Sequence, residues 1–143
     1  MSINQISVFL ENRKGQLAET TSLLAESGIN LRAISIAETA DYGILRIIVD
    51  DAEKASSILL SNGNIITMTP VVVVSVADEP AGLSSLLALL SDGNIDIEYM
   101  YSLFTHTDNK AYMVFRVPDE AVFTSHLASH NISFATKEEL GLK

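Results

Sequence analysis

Apolar positions along the chain follow two periods, and the same order of periods occurs twice. Runs at Ile3–Leu10, Ile29–Glu38, Gly43–Val49 and Ile65–Met68 read as strands. A second set returns at Val71–Ala77, Ile95–Thr105, Ala111–Val117 and, weakly, Ile132–Phe134. After the first strand of the second set, Leu83, Leu86, Leu87 and Leu90 fall at i, i+3, i+4 and i+7, the stripe of an amphipathic helix. Gly28 closes the matching helix of the first set as a C′ glycine does. Asp50-Asp51 and Asp119-Glu120 open the remaining two helices, where a carboxylate caps free N–H groups and faces the positive dipole end.

The two sets are copies of one module. Leu24-Ala25-Glu26-Ser27-Gly28-Ile29-Asn30-Leu31 aligns with Leu90-Ser91-Asp92-Gly93-Asn94-Ile95-Asp96-Ile97 at an offset of 66. Ile44 through Val49 aligns with Tyr112 through Val117 at 68, so the second copy has gained two residues. They fall at Thr107-Asp108-Asn109-Lys110, which reads as a turn that tolerates insertion. Pro70 separates domain 1 (residues 1–69) from domain 2 (residues 70–143) with almost no linker, so the two are expected to dock. Each copy reads β-α-β-β-α-β, which with right-handed crossovers gives a split βαβ, ferredoxin-like α+β sandwich. Its antiparallel sheet carries helices on one face. Val71–Val74 and Ile44–Val49 hold apolar residues at both parities, so the other face is expected to be covered by the second copy or another subunit. Such interfaces are where ligands tend to sit.

Composition then removes function classes. The chain has 143 residues, is 48% hydrophobic and contains no cysteine, which excludes disulfides, thiolate catalysis and Cys-type zinc sites. A formal net charge of −9 opposes nucleic acid and anionic membrane surfaces alike. Met1-Ser2-Ile3-Asn4 has no basic n-region, and Val71–Val74 is far too short to span a bilayer, so a cytoplasmic location is expected. Phosphate-binding, dinucleotide-binding, zinc-protease and nucleophile-elbow motifs are all missing, so no enzyme and no cofactor is expected. His126 and His130 have the i, i+4 spacing of half a metal site. His126 aligns with Ile58, however, and His130 lies at a helix C-terminus where imidazolium is welcome, so no metal is expected. Tyr99, Tyr101 and Phe104 have no lysine or arginine beside them and read as packing rather than base-stacking residues.

What remains is the loop into the first helix. Asn12-Arg13-Lys14-Gly15-Gln16-Leu17 places a glycine where backbone meets a helix N-terminus, a spot that attracts a carboxylate. Asn30, at the start of the second strand, is expected to come close to this loop. Its amide offers both donor and acceptor to a zwitterion.

Asn12-Arg13-Lys14-Gly15-Gln16-Leu17-Ala18 followed by Gly28-Ile29-Asn30-Leu31 resembles the ACT domain, and the resemblance recurs in the second copy. It implies a stand-alone tandem pair that binds an amino acid at the interface of its modules. The site so implied is Asn12, Lys14, Gly15, Gln16 and Leu17 with Gly28, Ile29 and Asn30. In the second copy it is Asp78, Pro80, Ala81, Gly82 and Leu83 with Asn94, Ile95 and Asp96. Lys14 stands where proline is usual, and Ala81 stands at the glycine position. Asp78 and Asp96 would repel an anion, so with Glu98, Tyr99 and Tyr101 nearby a basic or imidazole-bearing amino acid, histidine first, is the expected ligand. A homodimer and a partner metabolic enzyme are the expected associations. The alternative is a ligand-free interaction or oligomerisation adaptor.

Overall fold

A computed structural model describes residues 2–11, 13–38, 41–104 and 109–143. The elements run β1 (Ile3–Glu11), α1 (Gln16–Glu26), β2 (Leu31–Glu38), β3 (Tyr42–Val49), α2 (Ala52–Ser61) and β4 (Ile65–Ala77). They continue α3 (Gly82–Asp92), β5 (Tyr99–Ser102), β6 (Lys110–Arg116), α4 (Glu120–Ser129) and α5 (Lys137–Leu140). The chain divides into two compact units. The N-terminal unit is Asn4–Thr69 with Gly141–Lys143, and the C-terminal unit is Pro70–Leu140 with Met1–Ile3. Both have the ferredoxin-like α+β fold.

In the N-terminal unit β3 pairs antiparallel with β1 and with β2, and the first part of β4 lies on the free side of β1. Alternation sends Ile6, Val8 and Leu10 of β1 and Leu45, Ile47 and Val49 of β3 to one face. Leu24 of α1 and Ala55 and Leu59 of α2 close over them. In the C-terminal unit β6 pairs antiparallel with β4 and β5, and Val72, Val74, Phe115 and Val117 meet Leu86, Leu90, Phe123 and Leu127 from α3 and α4. The Phe115 and Phe123 rings tilt against each other at 5.4 Å. Val71 through Val74 are buried at both parities, and so is Ile48.

All four long helices end in the same cap, with a left-handed C′ residue and two closing bonds. After α1, Gly28 N–H donates to Ala25 O (3.0 Å) and Ile29 N–H to Leu24 O (2.9 Å). Gly63 (φ 84°), Asn94 (φ 53°) and Asn131 (φ 59°) hold the equivalent places after α2, α3 and α4. The first copy uses glycine there and the second asparagine. At the other ends, Asp51 caps Lys54 N–H and Asp119 caps Val122 N–H, as their spacing predicts.

Three expectations need correction. Ile65–Met68 and Val71–Ala77 are one strand of 13 residues that runs through Pro70, because the fixed φ of proline is compatible with extended backbone. The strand expected from Ile95 begins only at Tyr99. The register that pairs Tyr99 with Arg116 would set Ile97 against Pro118, which has no N–H to give. The end of that expected strand, Thr105, lies outside the described residues. The third expectation, Ile132–Phe134, shrinks to a bridge between Val74 and Phe134. The short α5 was not anticipated, although Thr136-Lys137-Glu138-Glu139 is a capping box, with Glu139 N–H donating to Thr136 Oγ1 at 3.2 Å.

Candidate functional site

Both copies pass from first strand to first helix through a loop tied by the same three backbone bonds. In the first, Arg13 N–H donates to Glu11 O (2.7 Å), Gln16 N–H to Arg13 O (3.3 Å) and Glu19 N–H to Gly15 O (3.0 Å). Their counterparts run from Glu79 to Ala77, from Gly82 to Glu79 and from Ser85 to Ala81, each at 2.9 Å. The turn at the centre differs. Gly15 (φ 88°, ψ −8°) has the third-residue geometry of a type II turn, and Ala81 (φ −94°, ψ −2°) that of a type I turn. Type II needs a glycine there; type I accepts alanine and takes Pro80 at the second position. The middle peptide is thereby turned over, so the two loops present opposite groups at that point. The second copy needs its glycine one residue later, where a Cβ on Gly82 would collide with the Ala77 carbonyl.

Around the first loop lies a cleft of about 190 Å³, bounded by Glu11, Arg13, Gly15, Gln16 and Leu17 from the loop side. Its far wall is Ile36, Glu38 and Tyr42, which the antiparallel register brings to the same end of the sheet as Glu11. Tyr42 stacks on Phe9 with ring centroids 4.7 Å apart. Arg13 holds Glu19 with two bonds, 3.0 Å and 2.8 Å. That pairing, through hydrogen bonding first and charge second, lowers the Glu19 carboxyl and raises the guanidinium. Gln16 Oε1 is buried and has no hydrogen-bond partner. Glu11, Arg13, Ile36, Glu38 and Tyr42 were not among the expected site residues. The hairpin register alone would have placed the last three.

The second limb sits elsewhere. Gly28, Ile29 and Asn30 follow α1, and α1 spans about 16 Å at 1.5 Å per residue. The expectation that Asn30 approaches the loop of its own copy therefore fails, because α1 leads directly away from Gly15. Asn30 is fixed to Asp50 from both sides: its N–H donates to Asp50 Oδ1 (3.0 Å), and its carbonyl accepts from Asp50 N–H (3.1 Å). Only its side chain is left for other contacts. In the second copy Pro118 stands where Asp50 does and can make neither bond, so Asp96 has no such anchor.

Lys14 is exposed, Leu17 and Leu83 are about one third exposed, and Asp78, Pro80 and Ala81 lie at the surface. Asp78 N–H donates to Asn109 O at 2.8 Å. The side chain of Ile29 belongs to the core of the N-terminal unit, and Ile95, partly buried, packs against the core of its own C-terminal unit. Asn94 is the left-handed cap residue described above. Asn12 lies outside the described residues. Glu98 is already paired with Arg116 at 3.1 Å. His126 Nε2 donates to the Leu89 carbonyl (2.9 Å), and a Cβ on Gly93 would press on its ring. No cluster of three or more His, Asp or Glu suited to a metal exists among the described residues, and no helix there is long and apolar enough to cross a membrane.

No curated protein matches the chain significantly. Among solved structures, protein BT0572 from Bacteroides thetaiotaomicron is 38% identical with a TM-score of 0.90, covering 99% of this chain and 96% of that one. The regulatory subunit of aspartate kinase from Thermus thermophilus shares the fold at 19% identity and TM-score 0.65, covering 90% and 91%. The corresponding subunit from Thermus flavus, also 19% identical, gives 0.59 with 90% of each chain covered. A family model described as the ACT domain pair matches residues 1–142, and the chain belongs to that family.

Proposed function

We propose that the chain is a non-catalytic regulatory protein whose β1–α1 loop binds an amino acid, with a basic one, histidine first, preferred. The observation that carries this reading is the cleft beside Gly15. It combines a guanidinium, two carboxylates at Glu11 and Glu38, apolar walls and the unpartnered Gln16 Oε1. A zwitterion with a cationic side chain matches that set, since its carboxylate meets Arg13 and backbone N–H while its cationic groups meet the acceptors. The second loop, with Ala81 and Asp78, is the weaker of the two. Asn30 lies too far from the loop of its own copy to complete it, so a second subunit supplies that limb in a homodimer. By linkage, ligand would then shift assembly and with it affinity for a partner metabolic enzyme. The reading is supported by the two Thermus neighbours that share the fold, both named as the regulatory subunit of aspartate kinase.

The test is a thermal-shift panel of the twenty amino acids on the full chain. Ligand at 100 times its Kd adds about 2.7 kcal/mol, an easily read rise. A rise with histidine, lysine or arginine that Asn12→Ala or Asn30→Ala removes supports the site. A rise with aspartate or glutamate alone overturns the ligand class. A flat panel favours the adaptor reading, to which the exposed Phe9 and Ile65 beside Ile44 on the N-terminal sheet lend a surface.

A further inference from the structure

The repeat carries another pair of grooves, between the first turns of each copy's first helix and the loop after its second helix. In the N-terminal unit the groove holds about 220 Å³ and is lined by Glu11, Arg13, Gln16, Glu19, Thr20 and Asn62–Asn64. In the C-terminal unit it holds about 420 Å³, and Gly82, Ser85, Leu86, Leu89, His130 and Ile132 line it. The repeat offsets of 66 and 68 bring much of the two linings into correspondence. Gln16 falls on Gly82, Glu19 on Ser85, Thr20 on Leu86, Asn62 on His130 and Asn64 on Ile132. The backbone of the turn dictates Gly82, but nothing in it requires a small residue for Glu19 or apolar ones for Thr20 and Asn64. These exchanges strip charge from the groove. They also raise its volume into the range of small-molecule sites, roughly 300–1,000 Å³.

We infer that the C-terminal groove binds a small neutral molecule with a compact apolar body and one N–H or O–H donor. Its apolar walls, Leu86, Leu89 and Ile132, carry no charge, so an ionic ligand would lose hydration there without compensation. His130 supplies the acceptor. Its Nδ1 lies 3.0 Å from the His126 carbonyl and 3.1 Å from Ser129 Oγ. The carbonyl can only accept, so of the two neutral tautomers this contact selects the one with the proton on Nδ1, in which Nε2 is the acceptor. The hydroxyl of Ser85 adds a second adaptable group. This inference is independent of the amino-acid reading, because the groove belongs to the other unit and shares no lining residue with the cleft beside Gly15.

The experiment is a methyl-NMR titration of the full chain with indole, and with toluene as the donor-free comparator. Indole should give saturable shifts at Leu86, Leu89 and Ile132 and none at Leu10 or Leu17. Toluene should bind more weakly. Ser85→Glu restores the residue of the sibling groove at an exposed site in the first turn of α3, where a carboxylate suits the helix dipole. It should weaken indole about tenfold, and its spectrum reports directly that the fold is retained. Shifts that do not saturate, that spread equally over both units or that survive Ser85→Glu would overturn the site. Equal affinity for toluene would overturn the role of His130.

Discussion

The left-handed residue at position 15 is the sharpest difference between the copies. Gly15→Ala forces an L side chain to φ 88° and should cost about 1–2 kcal/mol in urea denaturation. Ala81→Gly, in a turn that tolerates either residue, should cost under about 1 kcal/mol through backbone entropy alone. Equal costs would remove the assignment of two turn types, and with it the reason the loops present different groups. The Arg13–Glu19 pair makes a prediction in pH. Pairing holds the Glu19 carboxyl below the ordinary glutamate value, so its contribution is present above the unfolded value and lost as pH falls through the folded one. NMR titration should show a depressed Glu19 midpoint that Arg13→Ala returns to normal. Both side chains are largely solvent-accessible, so loss of the pair should leave the fold in place.

At the scale of elements, stability rests on faces and caps. Asp51→Ala and Asp119→Ala each remove an acceptor from a helix start and should each cost about 1 kcal/mol by thermal or chemical denaturation. Leu127→Ala empties a fully buried position between α4 and the sheet and should cost about 2–5 kcal/mol. These elements were legible because each has a local cause: the leucine stripe of α3, the aspartate caps, the alternation of β1 and β3. What escaped was set by partners distant in sequence. The late start of β5 depends on Pro118 in a facing segment, which periodicity along Ile95–Thr105 does not register. The cleft walls Ile36, Glu38 and Tyr42 depend on hairpin register. The separation of Asn30 from Gly15 depends on the direction of α1, whereas motif spacing conveys only that both positions recur together. Thr136-Lys137-Glu138-Glu139 was readable as a helix start, but the segment is too short for a periodic signal.

For the whole molecule, the division into units does not follow the order of the chain. Gly141–Lys143 belong with the N-terminal unit, although residues 70–140 belong to the other. The tail is held there by the Lys143 N–H on the Asp50 carbonyl (2.8 Å) and a longer ion pair from Lys143 Nζ to Asp51 (3.7 Å). Asp50 is also the residue that fixes Asn30, so the tail braces one proposed limb of the ligand site. Gly141 enters this packing at φ 68°, and a Cβ there would meet the Arg32 guanidinium at 2.6 Å. Arginine can swing aside, but a β-branched residue tolerates that φ poorly. Gly141→Val should therefore release the tail, and hydrogen exchange at the Lys143, Asp50 and Asn30 amides should accelerate. Amides of the C-terminal core, such as those of Val73 and Phe115, should keep their protection. If protection fell first in the C-terminal unit, the tail would be bracing that unit instead, and Asn30 would owe its position to Asp50 alone. If the tail is the brace, the variant should also weaken the response to a basic amino acid while leaving indole binding at the other groove unchanged.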